Sequence, residues 1–276
     1  RAIRAAVVHP RTKEVLILGP IYFFLSFVNL RLKLDLTPSW FSGTLAENHQ
    51  LLMQFEYYNN EQSRIFQYLI PEFFSRVLSI DTVRGYTLQR FLFVFLAFVC
   101  FHLYLRKWFG ALGSLTGVVL LAALMPLTYV DHLQESAPLL LLTFLLGLWS
   151  IRDNKTIASG AVLAIGGLNN ETMLILPAVY FFYHFERKGW RQLLDLGRKT
   201  LLVSLPMIVA VAVVRYLTRD HPHLGGFWWF ERNLEMLSLQ FPLLRSSAYR
   251  ARVYFIFFLY NALWFYALLG YKRTPR

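Results

Sequence analysis

Three short stretches of the chain carry the residues whose types and spacing could do chemistry. In Glu56-Tyr57-Tyr58-Asn59-Asn60-Glu61-Gln62-Ser63-Arg64, Glu61 and Arg64 stand three apart, so a carboxylate and a guanidinium can share one face of a helical turn. Asp131, His132 and Glu135 fall in Tyr129-Val130-Asp131-His132-Leu133-Gln134-Glu135, directly after a long apolar run. Asn170 and Glu171 interrupt another apolar stretch in Leu168-Asn169-Asn170-Glu171-Thr172, with Pro177 close behind. Carboxylates placed like this can take or give protons, and polar groups beside them can orient a ligand. Plainer roles fit the same residues. Glu61 with Arg64 reads as a solvated ion pair, Asp131 as a cap for the helix that starts near Pro138, His132 as a polar loop residue, and Asn169 to Glu171 as two helix ends satisfying their backbone.

The elements that must position these residues are apolar. Of 276 residues, 56% are hydrophobic and 17% aromatic, while only 16% are charged against about 25% in soluble domains. The excess apolar surface calls for a lipid solvent, and 25 Phe with 15 Tyr suit lipid-facing surfaces and the headgroup belt. The formal charge of +12 could suggest nucleic acid, but the 28 Lys and Arg lie between apolar runs and not in one stripe, so no nucleic-acid partner is expected. Cys100 is the only cysteine, which excludes a disulfide framework and a thiolate metal site. There is no P-loop, dinucleotide fingerprint or His-rich metal motif.

Eight runs are candidates for membrane helices: 15–30, 91–105, 109–130, 137–151, 157–168, 173–185, 201–217 and 253–269. The pair 157–168 and 173–185 is too short to cross singly and reads as two short helices meeting near one surface. If each run crosses, the loops alternate, and the Lys- and Arg-rich ones define the cytoplasmic side. That side receives the N-terminus, Arg106-Lys107, Arg152 with Lys155, the 187–199 stretch and Lys272-Arg273. The other side receives residues 31–90, 131–136, the Asn-Asn-Glu break and 218–252, so all three polar stretches fall there. Within 31–90, apolar residues recur at spacings of three and four over 51–58 and 65–77, the pattern of interfacial helices. The expectation is an all-α, polytopic transmembrane helical bundle: one domain over 1–276, about eight membrane helices, and a long outer loop of interfacial helices.

This layout resembles the GT-C superfamily of membrane glycosyltransferases, which use polyprenyl-phosphate-linked sugars. The resemblance covers about residues 15–217. It is most specific over 158–183, ASGAVLAIGGLNNETMLILPAVYFFY, which is similar to the small-residue helix, polar break and Leu-Pro helix of that superfamily. By resemblance, Glu61 is the base that activates the acceptor, and the lipid phosphate leaves in an inverting displacement. Arg64 then holds the donor phosphate with its fork of donors. Asp131, His132 and Glu135 match the second outer loop, where the family orients acceptor or metal, so a divalent metal stays open. Asn170 and Glu171 match the polar break and line the same cavity. The implied partners are membrane lipids and the polyprenyl-linked sugar, and the implied location is a bacterial inner membrane. Two other classes fit. Asn59-Asn60, where many relatives carry an acid, suits a non-catalytic subunit with membrane protein partners, and a broken helix pair suits a transporter.

Overall fold

A computed structural model describes residues 10–57, 60–129, 135–185 and 189–221, all within one compact unit. Asp131, His132, the 253–269 run and all but the start of the 218–252 loop lie outside the described residues. Among the described residues the protein is all-α, with no strands. Its helices are α1 (Pro10–Leu36), α2 (Leu45–Met53), α3 (Ile65–Leu78), α4 (Thr82–Leu105), α5 (Ala111–Leu124), α6 (Ala137–Arg152), α7 (Thr156–Asn169), α8 (Ile175–Tyr183) and α9 (Trp190–Leu217).

Among the described residues, three helices are long and apolar enough to cross a membrane: Lys13–Leu36 of α1, α4 and α9. At 1.5 Å per residue, the 24 residues of α4 reach ~36 Å, beyond the ~30 Å of a hydrocarbon core. Helices α5 to α8 are apolar but shorter.

Helix α1 is built inside out relative to a soluble helix. Tyr22, Ser26, Asn29 and Lys33, at steps of four, three and four, share one face, and all are buried. Ile17, Ile21, Phe24 and Phe27 lie exposed on the other side. The polar face packs on α4, which runs antiparallel to α1. Tyr22 and Glu14 reach His102 near the end of α4, and Phe23 meets Phe91 and Phe95 edge-on. Helix α4 is shared among apolar cores, and its start also places Tyr86 against Trp40 and Leu45. Val94 and Phe98 pack with Tyr22, Val118 and Ala122, and Ala97 packs with Leu139, Leu142 and Leu145. Another core joins α6 to α9 through Ile151, Leu163, Met173, Leu176, Val203 and Met207. There the small residues of α7 admit α9: a Cβ on Gly167 would lie 2.6 Å from Cγ of Met207, and one on Gly160 3.4 Å from Pro206.

Connections alternate between two ends. The proximal end, where α1 starts, holds the α4–α5 turn, where Arg106 binds Glu14, and the α6–α7 turn, where Asp153 binds Lys107. The α8–α9 turn lies there too, with His184 donating to the carbonyl of Ile151. Described cations in these turns and the first turns of α9 include Arg106, Lys107, Arg152, Lys155 and Arg191. The distal end holds α2, α3 and the turns after α5, α7 and α9. The Lys- and Arg-rich connections and the three polar stretches, as far as described, therefore fall at opposite ends.

Several boundaries differ from the sequence expectation. Residues 31–36 and 82–90, expected in the outer loop, are helical. Arg31 pairs with Asp35 one turn on, Lys33 is buried with its ammonium on the carbonyl of Tyr129, and Asp81 caps α4 by accepting from the Arg84 amide. Helix formation thus outruns hydropathy at both sites. The 109–130 run is α-helical only over α5, and the chain tightens into a 3₁₀ turn at Met125–Thr128. Pro126 accounts for this, since it lacks an N–H and its ring crowds the preceding turn. The 201–217 run is the second half of α9, which begins at Trp190 after the Gly189 cap. The 157–168 and 173–185 pair is two short helices, α7 and α8, joined by a 3₁₀ turn at Glu171–Leu174.

Three helix ends close alike. After α2, α3 and α6, an amide bonds back to the carbonyl five residues earlier: Glu56 to Leu51, Ile80 to Ser75 and Lys155 to Ser150. The left-handed residue is Phe55, Ser79 or Asn154, with φ of 57°, 53° and 52°. Phe55 is the strained one, because a bulky side chain is poorly suited to positive φ.

Candidate functional site

Glu61 sits in a 3₁₀ turn, Asn60–Ser63, between α2 and α3. Its buried carboxylate accepts from Nε2 of Gln67 at 2.8 Å, one turn into α3. Arg64, at the cap of α3, is buried and lies within electrostatic reach of both Glu61 and Glu171. Burial lowers its pKa and the two carboxylates oppose that, so the guanidinium stays charged as a buried cation flanked by anions. Burial and the charge of Glu61 also push the Tyr57 phenol up. Burial alone takes Tyr68 to about 12, and its hydroxyl donates to the carbonyl of Gln62 at 3.1 Å.

The α7–α8 break meets this turn. Glu171 accepts from Oγ of Ser63 at 3.4 Å and from Arg215 near the end of α9. Asn170 shapes the break: its backbone is extended, its Oδ1 accepts from the amide and hydroxyl of Thr172, and its Nδ2 donates to Oγ of Ser136. Asn169 donates to the carbonyl of Ser136 at 2.9 Å, tying the break to the start of α6. Three stretches far apart in sequence thus meet at the distal end.

Glu135 forms a neighbouring, fully buried cluster. Arg90 of α4 binds its Oε2 through Nε at 2.8 Å and Nη2 at 2.7 Å, and Trp40 donates to its Oε1 at 3.3 Å. The Arg90 guanidinium lies over the ring of Tyr129, whose hydroxyl donates to Asn29 of α1. Glu135 therefore fastens α1, α4 and the residues before α6 to one another. Tyr86 lies within electrostatic reach of Glu61, Glu72 and Glu135, so the two clusters are continuous.

Four buried amide oxygens add an unusual feature. Gln62, Gln67, Gln89 and Asn169 each donate their NH₂ to an oxygen that can only accept: the carbonyls of Phe55, Glu135 and Ser136, or the carboxylate of Glu61. That fixes each amide's orientation. Their oxygens meet no donor among the described residues. Such acceptors suit hydroxyl groups, from water or a substrate.

Of the residues singled out from sequence, Glu61, Arg64, Asn170 and Glu171 come together, Glu135 lies in the adjoining cluster, and Asp131 and His132 are outside the described residues. Gln67, Arg90 and Arg215 were missed. Arg215 did leave a signal, a single cation near the end of the apolar 201–217 run. Among the described residues, no three or more His, Cys, Asp and Glu side chains gather as a metal ion would need. A cavity of about 300 Å³ lies at the other, proximal end, between the α6–α7 turn, the end of α8 and the start of α9.

No protein-family model matches the chain, nor does any curated protein or solved structure.

Proposed function

We propose that this chain is a multi-pass membrane protein that transfers a sugar from a polyprenyl-phosphate donor at its distal face. About eight helices cross or enter the bilayer, α2 and α3 lie along its surface, and the cation-bearing proximal turns face the cytoplasm. Support for the bilayer comes from α1, whose polar face is buried while Ile17, Phe24 and Phe27 are exposed. In α3, likewise, Gln67 and Tyr68 turn inward and Phe73 and Val77 outward. Water does not favour that arrangement, and lipid does.

One observation carries the chemistry: buried Arg64 lies within electrostatic reach of both Glu61 and Glu171 at one end of the helical body. Glu61 takes the proton of the acceptor hydroxyl, and the freed oxygen attacks the anomeric carbon. The bond from that carbon to the phosphate oxygen breaks, the phosphate keeps the electron pair, and Arg64 meets its charge. Glu171 and Asn170 shape the wall of the site, the pinned amide oxygens accept from sugar hydroxyls, and Asp131, His132 and Glu135 belong to its second segment. Glu61→Gln keeps the shape and removes the base, so transfer should fall about 10²- to 10⁴-fold. Unchanged transfer discards this mechanism.

A second reading draws on a different feature of the same groups. Glu61 is already held by Gln67 and Glu171 by Arg215, as in a structural fastening. A non-catalytic subunit of a membrane complex would keep such contacts without turnover. Native mass spectrometry in mild detergent separates the two: a stable protein partner without polyprenyl lipid favours the subunit.

A further inference from the structure

The proximal cavity is lined mostly by polar side chains. It opens between the α6–α7 turn, the end of α8 and the first turns of α9, and six polar side chains line it: Asn154, Tyr180, His184, Gln192, Asp195 and Lys199. Tyr180 is 98% buried, its ring lies tilted at 59° against that of His184 with centroids 4.7 Å apart, and its hydroxyl has no hydrogen-bond partner among the described residues. His184 is fixed in one tautomer. Its Nε2 lies 3.2 Å from the carbonyl of Ile151, which can only accept, so Nε2 carries a proton and Nδ1 is the nitrogen left to act as an acceptor. Asp195 and Lys199 stand four apart on α9 and pair at 2.8 Å, both more than half exposed. An exposed pair of this kind is weakly held, so a ligand with both charges can separate it.

We infer that this cavity is a binding site for a zwitterionic phospholipid headgroup that carries a phosphate and a primary ammonium. Lys199 and the Tyr180 hydroxyl donate to the phosphate, with an amide N–H of Gln192 or Asn154 beside them. Asp195 and Nδ1 of His184 accept from the ammonium. A volume of about 300 Å³ is at the small end of ligand pockets and takes a headgroup without its acyl chains. Exposed aromatic residues adjoin the lining residues in sequence: Phe182, Tyr183, Phe185 and Trp190, the residue types of the belt at a membrane's headgroup level. The inference rests on the proposal that the chain is bilayer-embedded. It needs nothing of the proposed transfer chemistry, whose groups lie at the distal end.

Binding is read by native mass spectrometry of the detergent-purified protein, offered equal amounts of phosphatidylethanolamine, phosphatidylcholine and phosphatidylglycerol with identical acyl chains. The ethanolamine lipid should be retained about tenfold over the other two, a difference of one decade in affinity. Choline has no N–H to give Asp195 and His184, and glycerol has no cation. Tyr180→Phe, which removes one oxygen, and the double variant Asp195→Asn with Lys199→Met should each lower that retention severalfold at unchanged melting temperature. Glu61→Gln should leave it unchanged, whatever it does to transfer. Equal retention of the three lipids overturns the inference, as does retention unaffected by either cavity variant. Free phosphoethanolamine binding as tightly as the lipid would make the ligand a soluble molecule and overturn the lipid assignment.

Discussion

At the residue scale, this protein depends on buried charge that is matched pair by pair. Arg90 and Glu135 are nearly inaccessible, at 4% and 1% exposure, and each is the other's main compensation. Removing one partner leaves a lone buried charge, which costs about 3–5 kcal/mol, whereas replacing both with apolar residues of similar size is often neutral. Arg90→Met should therefore lower the melting temperature in detergent markedly, and Arg90→Met with Glu135→Leu should recover most of the loss. If the double variant melts as low as the single one, the pairing is not what stabilises the site. Two histidines sit in chains of the same design. Tyr86 donates to Nδ1 of His49, whose Nε2–H donates to Glu72, and Arg76 holds Glu72; Tyr22, His102, Glu14 and Arg106 repeat the order at the proximal end.

The distal chain gives a pH dependence with a definite sign. Burial lowers the pKa of His49 despite the opposing effect of Glu72, and the contact with Arg76 holds Glu72 below the usual carboxylate range. Both folded pKa values lie below their unfolded values of about 6.5 and 4.3. Opening of α2 therefore binds protons. The stabilisation is complete above about pH 6.5, declines as the pH falls through the folded pKa of His49, and declines again in the acid range of Glu72. Amide protection in α2, corrected for intrinsic exchange, should drop between about pH 7 and pH 5. His49→Asn should flatten that drop, and a drop of the same size in the variant would remove His49 from the account.

At the scale of elements, helix contacts depend on a few glycines whose missing Cβ lets backbones meet. Gly85 at the start of α4 is the tightest case: a Cβ there would lie 2.6 Å from the carbonyl oxygen of Pro71 in α3 and 2.7 Å from Oγ of Ser75. A backbone carbonyl cannot rotate away as a side chain does. Gly85→Ala should thus separate α3 from α4 and cost about 1–3 kcal/mol. Because α3 follows Arg64 directly, the same substitution should weaken whatever the Glu61 site binds. A melting temperature and affinity equal to wild type would show that α3 is free to move. Gly117 faces Leu105 and Phe101 of α4, so α5 meets α4 at this glycine, while Gly113 faces the nearby Phe109.

Across the whole molecule, the alternation of ends makes a prediction about sidedness. If the chain spans a bilayer, single cysteines placed at positions 61 and 171 in a Cys100→Ala background should react with a membrane-impermeant thiol reagent from one side. Cysteines at positions 107 and 155 should react from the other. Labelling of 61 and 171 from opposite sides would end both the topology and the shared site.

The sequence by itself determined the apolar class, the helical periodicity, the separation of cation-rich connections from polar stretches, and the position of the α7–α8 break. These properties follow from composition and local spacing, which need no folded partner to be read. Only the tertiary structure decided that Glu61 takes Gln67 while Glu171 takes Arg215, and that Arg90 reaches across 45 residues to Glu135. It also decided that the polar residues of α1 face inward. In an apolar helix the hydropathy is high all round, so the pattern does not say which face meets protein and which meets lipid. That choice is made by the few groups, Tyr22, Asn29 and Lys33 among them, that need a hydrogen-bond partner, and the partner's place is set by packing between segments far apart in the chain.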